Sequence, residues 1–184
     1  EDLERIAMNF GGENIAACII EPIAGSTGTL VPPKGYLKRI RDICDKHGIL
    51  LIFDEVITGW GRTGSAFAAQ EWNVTPDIMT MAKATTNGVV PMGVVAVKEE
   101  IYDSVLDASS APEGTPELFH GYTYSGIPVA VAAALAVQDI FDKEDLIKRA
   151  KEMSPYFQDG LHSLKDLKEV VSIRGYGMMG GIEI

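Results

Sequence analysis

Apolar residues along the chain gather into short continuous runs, separated by polar, glycine-bearing or proline-bearing segments. Ile15-Ala-Ala-Cys-Ile-Ile20, Ile49-Leu-Leu-Ile-Phe53, Asp77 to Met81 and Val94 to Val97 form a set of four. Because these runs do not alternate, they predict strands covered on both faces, hence a parallel sheet and an α/β fold. Between the first two, Pro32 to Gly48 places Leu37, Ile40, Ile43 and Cys44 on one helical face, with prolines ahead and Gly48 at the end. This is a β-α-β unit, for which a right-handed crossover is expected. The loop Gly59-Trp-Gly-Arg-Thr-Gly64 breaks the pattern after the second run, and a polar stretch from Asp107 to Pro116 leads into His120-Gly-Tyr-Thr-Tyr-Ser-Gly126. Pro128 to Phe141 predicts an apolar helix with proline in its first turn. Lys143 to Lys165 predicts an amphipathic, solvated helix, and Val170 to Ile184 predicts strands of another layer.

Composition narrows the field without naming a function. The 184 residues suffice for one ordinary domain with a core, and 46% hydrophobic and 23% charged residues are those of an average globular protein. A net charge of −10 argues against a general binder of nucleic acid or of an anionic membrane, both of which need a positive footprint. Cys18 and Cys44 lie in apolar runs and read as small buried hydrophobes, with neither a disulfide framework nor metal-ligand spacing. No run approaches ~18 uninterrupted apolar residues and no signal-peptide pattern opens the chain, so a cytoplasmic protein is the expectation. The start at Glu1 without methionine and the stop at Ile184 inside an apparent strand read as a piece of a longer polypeptide.

Lys83 changes the picture. It ends the apolar run through Ile78, Met79, Met81 and Ala82, an expensive place for a hydrated ammonium. Desolvation lowers a lysine pKa and a neutral amine attacks carbonyls, so Schiff-base chemistry is one reading. A lysine leaving a buried strand to reach solvent is the other. In an open parallel sheet, ligands bind beyond the carboxyl ends of the strands. Asp54 ends the second run, and Val56 shares its face in extended chain. An aspartate opposite a ring nitrogen and a valine against the ring plane would make one side of a planar heteroaromatic site. Asp54 with Glu55 as magnesium ligands stays open as an alternative, although no further carboxylate or histidine clusters nearby. Gly25-Ser-Thr-Gly28 reads as a turn, since it lacks the ending of a phosphate-binding loop. Arg62 reads as a loop brace or a carboxylate anchor, and Glu21 before Pro22 as a supporting residue.

Ile20-Glu-Pro-Ile-Ala-Gly25, Leu51-Ile-Phe-Asp-Glu-Val-Ile-Thr-Gly59, Gly61-Arg-Thr-Gly64, Pro76-Asp-Ile-Met79, Ala82-Lys83 and Thr123-Tyr-Ser-Gly-Ile-Pro128 occur in this order. Together they resemble the class III, fold-type I aminotransferases that depend on pyridoxal 5′-phosphate. The resemblance implies Lys83 as the Schiff-base lysine and later proton carrier. It implies Asp54 on the pyridine nitrogen, Val56 on one ring face, and Thr123 contacting the cofactor phosphate of the neighbouring subunit in a homodimer. It also implies a large domain with a mostly parallel sheet over 1–142, followed over 143–184 by a connecting helix and the start of a small α+β C-terminal domain.

Pro32 to Arg39, Thr86-Asn-Gly88, Pro91-Met-Gly93 and Phe119-His-Gly-Tyr-Thr-Tyr124 resemble the ω-amino acid:pyruvate and β-alanine–pyruvate branch. Ser26 stands where ornithine- and γ-aminobutyrate-type relatives usually carry glutamate. Ile127 departs from the asparagine or histidine common before that proline, with no physical account. The implied substrates are an ω-amino acid or primary amine and a keto acid such as pyruvate. A 2,1-aminomutase of the glutamate-1-semialdehyde type and a non-catalytic binding module of the same fold remain alternatives. The family's phosphate cup, second ring-stacking aromatic and substrate-carboxylate arginine have no counterpart in the chain, so by itself it is expected not to be a competent catalyst.

Overall fold

The computed structural model describes residues 2–110, 112, 118 and 120–184. Along the chain, α1 (Asp2–Phe10), β1 (Ala17–Ile20), α2 (Tyr36–His47) and β2 (Leu50–Asp54) come first. The short α3 (Ala68–Glu71), β3 (Ile78–Met81), β4 (Val94–Val97) and α4 (Glu99–Ala108) follow. After these come α5 (Pro128–Lys143), α6 (Leu146–His162), β5 (Ser172–Tyr176) and β6 (Met179–Glu183). The β-α-β unit forms where the pattern put it. Leu37, Ile40, Ile43 and Cys44 are the buried face of α2. Gly35 and Gly48 flank the helix with φ of 83° and 68°, left-handed values that cost glycine nothing, and the Gly48 N–H closes the last turn on the Cys44 carbonyl.

The first four strands form one sheet in chain order. Ala17 to Ile20 run parallel to Leu50 to Phe53, and Ile52 to Asp54 run parallel to Ile78 to Thr80. The sheet is mostly parallel, as the resemblance implies; only the reading of the fourth apolar run as parallel fails, since β4 is antiparallel to β3, with Thr80 opposite Val95. The reason is the link. A parallel return needs a long crossover, usually a helix, whereas Lys83–Thr85 makes only a 3-10 turn before the chain doubles back. Coverage is also one-sided. Leu51 and Phe53 are fully buried against Leu37, Ile40, Cys44 and Ala7, while Ile19 on the opposite face is 60% exposed and Val95 64%.

The polar stretch read from Asp107 to Pro116 splits: its first residues end α4, and positions 111 and 113–116 lie outside the described residues, as does Phe119 of the branch motif. The two late helices are separate, with Asp145 at φ 49° between them. The strands expected after Val170 pair antiparallel as a second sheet, Ser172 opposite Glu183 and Tyr176 opposite Met179. Gln158 of α6 donates to the Gly177 and Met179 carbonyls at 2.9 Å each, fixing this hairpin to the helix. The hairpin in turn reaches the first sheet's loops. Arg174 donates to the Gly28 carbonyl at 2.7 Å, and Met178 N–H donates to the Arg62 carbonyl at 2.8 Å. Tyr176 donates to Glu71 at 2.5 Å, and burial together with this carboxylate pushes its hydroxyl up to about 12. Among the described residues, no helix is long and apolar enough to cross a membrane.

Candidate functional site

β2 and β3 end side by side, and the residues just beyond them carry the chemistry. Asp54 closes β2 opposite Thr80, and the Glu55 N–H still donates to the Thr80 carbonyl at 2.9 Å. The chain then turns: Asp54 Oδ1 accepts the Val56 N–H at 3.0 Å, the short-range bond an aspartate makes with the backbone two residues on. Among the described residues Asp54 Oδ2 takes no protein hydrogen bond. Lys83 stands one residue past Ala82, at φ 46°. A left-handed conformation in a residue with a Cβ costs about 1–3 kcal/mol and persists only where neighbours over-determine it.

Two clefts meet at Val56. One, of about 460 Å³, is lined by Lys83, Val56, Ser26, Arg62, Phe157 and Met178, among others, and so lies between the first sheet, α6 and the β5–β6 hairpin. The other, of about 500 Å³, takes Val56 with Thr80, Tyr122, Tyr124, Ile127 and Val131. The structure thus brings Lys83 and Val56 onto one cavity, with Asp54 at the adjoining strand end. It also adds Ser26 and Arg62 to that cavity. Thr123 is not brought to it. Its turn, closed by Ser125 N–H on the Tyr122 carbonyl at 2.9 Å, is exposed, and Thr123 lines neither cleft. The premise of a desolvated Lys83 is not met either: the side chain is exposed, because the 3-10 turn carries it off the strand into the cleft.

Glu55 corrects the metal-ligand alternative. Fully buried, it accepts Thr58 Oγ1–H at 2.8 Å, Ala68 N–H at 2.8 Å and Ala69 N–H at 2.7 Å. Its carboxylate is spent on the first turn of α3. Burial raises its pKa, and the two backbone N–H groups and Thr58 oppose that rise. Among the described residues, no group of three or more His, Cys, Asp or Glu is placed to hold a metal ion. Glu21 accepts the Gly25 N–H at 2.9 Å, and Gly25–Gly28 is the expected turn, with Gly28 and Thr29 N–H both donating to the Gly25 carbonyl. Arg62 braces the hairpin through its carbonyl, and the residue also lines the cleft.

Sequence reasoning gave Trp60 and Thr85 no role of their own and used Thr86 only as part of a branch motif. Thr85 is 3% exposed and Thr86 2%. Thr86 Oγ1 donates to the Val90 carbonyl at 2.6 Å, and Trp60 Nε1 donates to Thr85 Oγ1 at 3.1 Å. Two consecutive threonines, one residue beyond the lysine, were the available signal.

Asp54 itself lines neither cleft, and because the chain turns directly after it, Val56 enters the cleft from the turn rather than from an extended strand. A primary amine and a branched aliphatic wall in one cleft, with a carboxylate at the adjoining strand end, fit a planar aldehyde cofactor.

Known proteins place the whole chain. The pattern of class III aminotransferases matches residues 1–184. The chain is 55% identical over 184 residues to the omega-aminotransferase of Caulobacter vibrioides. It is 50% identical over 184 residues to the omega-amino acid–pyruvate aminotransferase of Pseudomonas putida, and 53% over 183 to the beta-alanine–pyruvate aminotransferase of Pseudomonas aeruginosa. All of the chain is covered in each, but it spans 41% of the length of these relatives. Its structure superposes on that of an (S)-enantioselective omega-transaminase from Thermomicrobium roseum with a TM-score of 0.91 at 43% identity, over 99% of the chain and 39% of the other. A lysine set beyond one parallel strand end and an aspartate closing the next thus sit in a sequence that matches one family throughout: the chain belongs to the class III aminotransferases, which use pyridoxal 5′-phosphate.

Proposed function

We propose that this chain is the lysine-bearing part of an aminotransferase moving the amino group of an ω-amino acid or primary amine, such as β-alanine, to pyruvate. The observation that carries the reading is the shared cleft of Lys83 and Val56 beside the Asp54 strand end. The names of the relatives at 50–55% identity supply the substrate class. Pyridoxal phosphate, when bound, supplies an aldehyde that captures amines and a ring that accepts electrons from the substrate carbon.

The chain's own groups do the rest. Lys83 Nζ is the amine that would hold the cofactor's aldehyde and, once a substrate amine has taken its place, would carry a proton as general base and then acid. Asp54, at the β2 end, would hold the ring nitrogen through its carboxylate, and Val56 would pack against the ring and exclude water from that face. Thr123, exposed on its turn, would serve the neighbouring subunit's phosphate in a homodimer. The division between large and small domains falls near residue 142, at the end of α5.

Borohydride reduction of the full-length polypeptide loaded with pyridoxal phosphate, followed by peptide mapping, is expected to place the label on Lys83. Label on another lysine overturns the assignment. Lys83→Ala is expected to lower the β-alanine–pyruvate rate by roughly 10³-fold or more, as loss of a covalent catalyst does.

A further inference from the structure

Lys83 and Trp60 are both held in the left-handed region without being glycine, at φ 46° and 60°. One side-chain relay joins them. Trp60 Nε1 donates to Thr85 Oγ1 at 3.1 Å, and Thr85 Oγ1 donates to the Ala82 carbonyl at 3.1 Å. That carbonyl belongs to the peptide joining Ala82 to Lys83, and the Thr85 N–H donates to it as well, at 3.0 Å. Rotation of this peptide plane is what sets φ of Lys83. On the other side, the Lys83 carbonyl accepts the Gly88 N–H at 3.2 Å and the Thr86 N–H at 3.4 Å. Both peptide planes flanking the lysine are therefore pinned. Trp60 is itself anchored, its ring 5.3 Å from Phe67 and 5.8 Å from Phe141 of α5.

Residues with a Cβ leave the left-handed region unless neighbouring bonds hold them there. A change of sign at φ swings the side chain away from its cleft. We propose that Trp60 and Thr85 form a latch that holds Lys83 in its left-handed conformation, making both of them positioning residues for the amine. The proposal rests on the assignment of Lys83 as the cofactor-bearing lysine. The rings around Trp60 also tie the latch to α5, so the posture of the lysine depends on a helix outside the strands that carry it.

Two isosteric changes test it in the full-length polypeptide. Trp60→Phe keeps an aromatic ring against Phe67 and Phe141 but removes the indole N–H. Thr85→Val keeps the shape but removes the hydroxyl, and Thr85→Ser restores it. Hydrogen exchange reads the latch without the cofactor: the Thr85 and Gly88 amides are expected to exchange about tenfold faster in Trp60→Phe and Thr85→Val, as loss of one buried hydrogen bond allows. The borohydride-trapped rate of pyridoxal phosphate attachment to Lys83 reads its consequence. It is expected to fall about tenfold in either variant, no further in the double variant, and to recover in Thr85→Ser, since misplacing a reacting group by an ångström costs that much or more.

Unchanged exchange at Thr85 and Gly88 overturns the latch. Faster exchange with an unchanged attachment rate overturns the positioning role and leaves a structural contact only. Normal attachment to a different lysine in the unsubstituted protein sinks the Lys83 assignment, and the positioning role with it, while the exchange data still report on the hydrogen bonds.

Discussion

At Asp77, three donors from different parts of the chain converge on one carboxylate. The Leu51 N–H lies at 2.7 Å, Arg41 of α2 at 2.8 Å and Lys98 at 2.7 Å. Burial alone would raise this pKa, but Lys98, the Leu51 N–H and Arg41 outweigh it and hold the group below its ordinary 3.8. A carboxylate lowered on folding stabilises the native state fully above its unfolded value, and that contribution disappears as acid passes through the folded value. Asp77→Asn is therefore expected to cost roughly 2–4 kcal/mol at neutral pH, because Arg41 loses a buried partner. Urea melts should show the gap to the unsubstituted protein constant from pH 7 to 5 and closing below 3.8. Residues of this kind are only partly legible from sequence. Asp54 and Lys83 stand out because each puts a charge at the end of an apolar run, and it is their shared crevice beyond neighbouring strand ends that outweighs the bland reading of either one. Asp77, at the start of its run, looks like a boundary, and Trp60 and Thr85 look like ordinary loop and turn residues until their side chains are seen to touch.

The four-residue α3 holds together because a buried acid sits at its N-terminus, where unpaired N–H groups and the helix dipole favour negative charge. Removing the acceptor in Glu55→Ala leaves the Ala68 and Ala69 N–H groups and the Thr58 hydroxyl without it, and should destabilise by roughly 2–4 kcal/mol in urea melts. The pH dependence runs opposite to that of Asp77. Burial raises the Glu55 pKa above its ordinary 4.5, so ionised Glu55 is carried at a cost, and the unsubstituted protein gains stability as pH falls through the folded value toward 4.5. Glu55→Gln should lack that gain, which a comparison of melts at pH 7 and pH 5 would show. Elements with strong punctuation are the ones the sequence makes readable: α2 between Gly35 and Gly48, α5 behind Pro128. The reading passed over α1, although Leu3, Ile6, Ala7 and Phe10 have helical spacing, because nothing before Asp2 marks a start. It passed over α4, which buries no residue. It made β4 parallel because strand direction is decided by the connection, and continuous apolar character carries no information about that.

Two distant stretches of chain close the Lys83 cleft, and their contact is tight. Gly177 has φ 58°, and a Cβ there would lie 2.4 Å from the Arg62 carbonyl oxygen and 2.9 Å from Thr63 backbone atoms. Gly177→Ala is therefore expected to push the β5–β6 turn off the Gly61–Gly64 loop, cost about 1–3 kcal/mol and lower cofactor retention, as equilibrium dialysis would measure. A larger drop from Gly177→Ala than from Arg174→Ala would mark the backbone approach, rather than the Arg174–Gly28 bond, as the tighter constraint. The span of these contacts bears on the order of events in folding. The β-α-β unit can assemble from neighbours, whereas the Gly28–Arg174 bond joins residues 146 positions apart, and closure of so long a loop is late and slow. During synthesis the cleft cannot exist until the β5–β6 hairpin has left the ribosome. Capture of the cofactor by Lys83 would then be a completion signal, reporting that both ends of this segment have found each other.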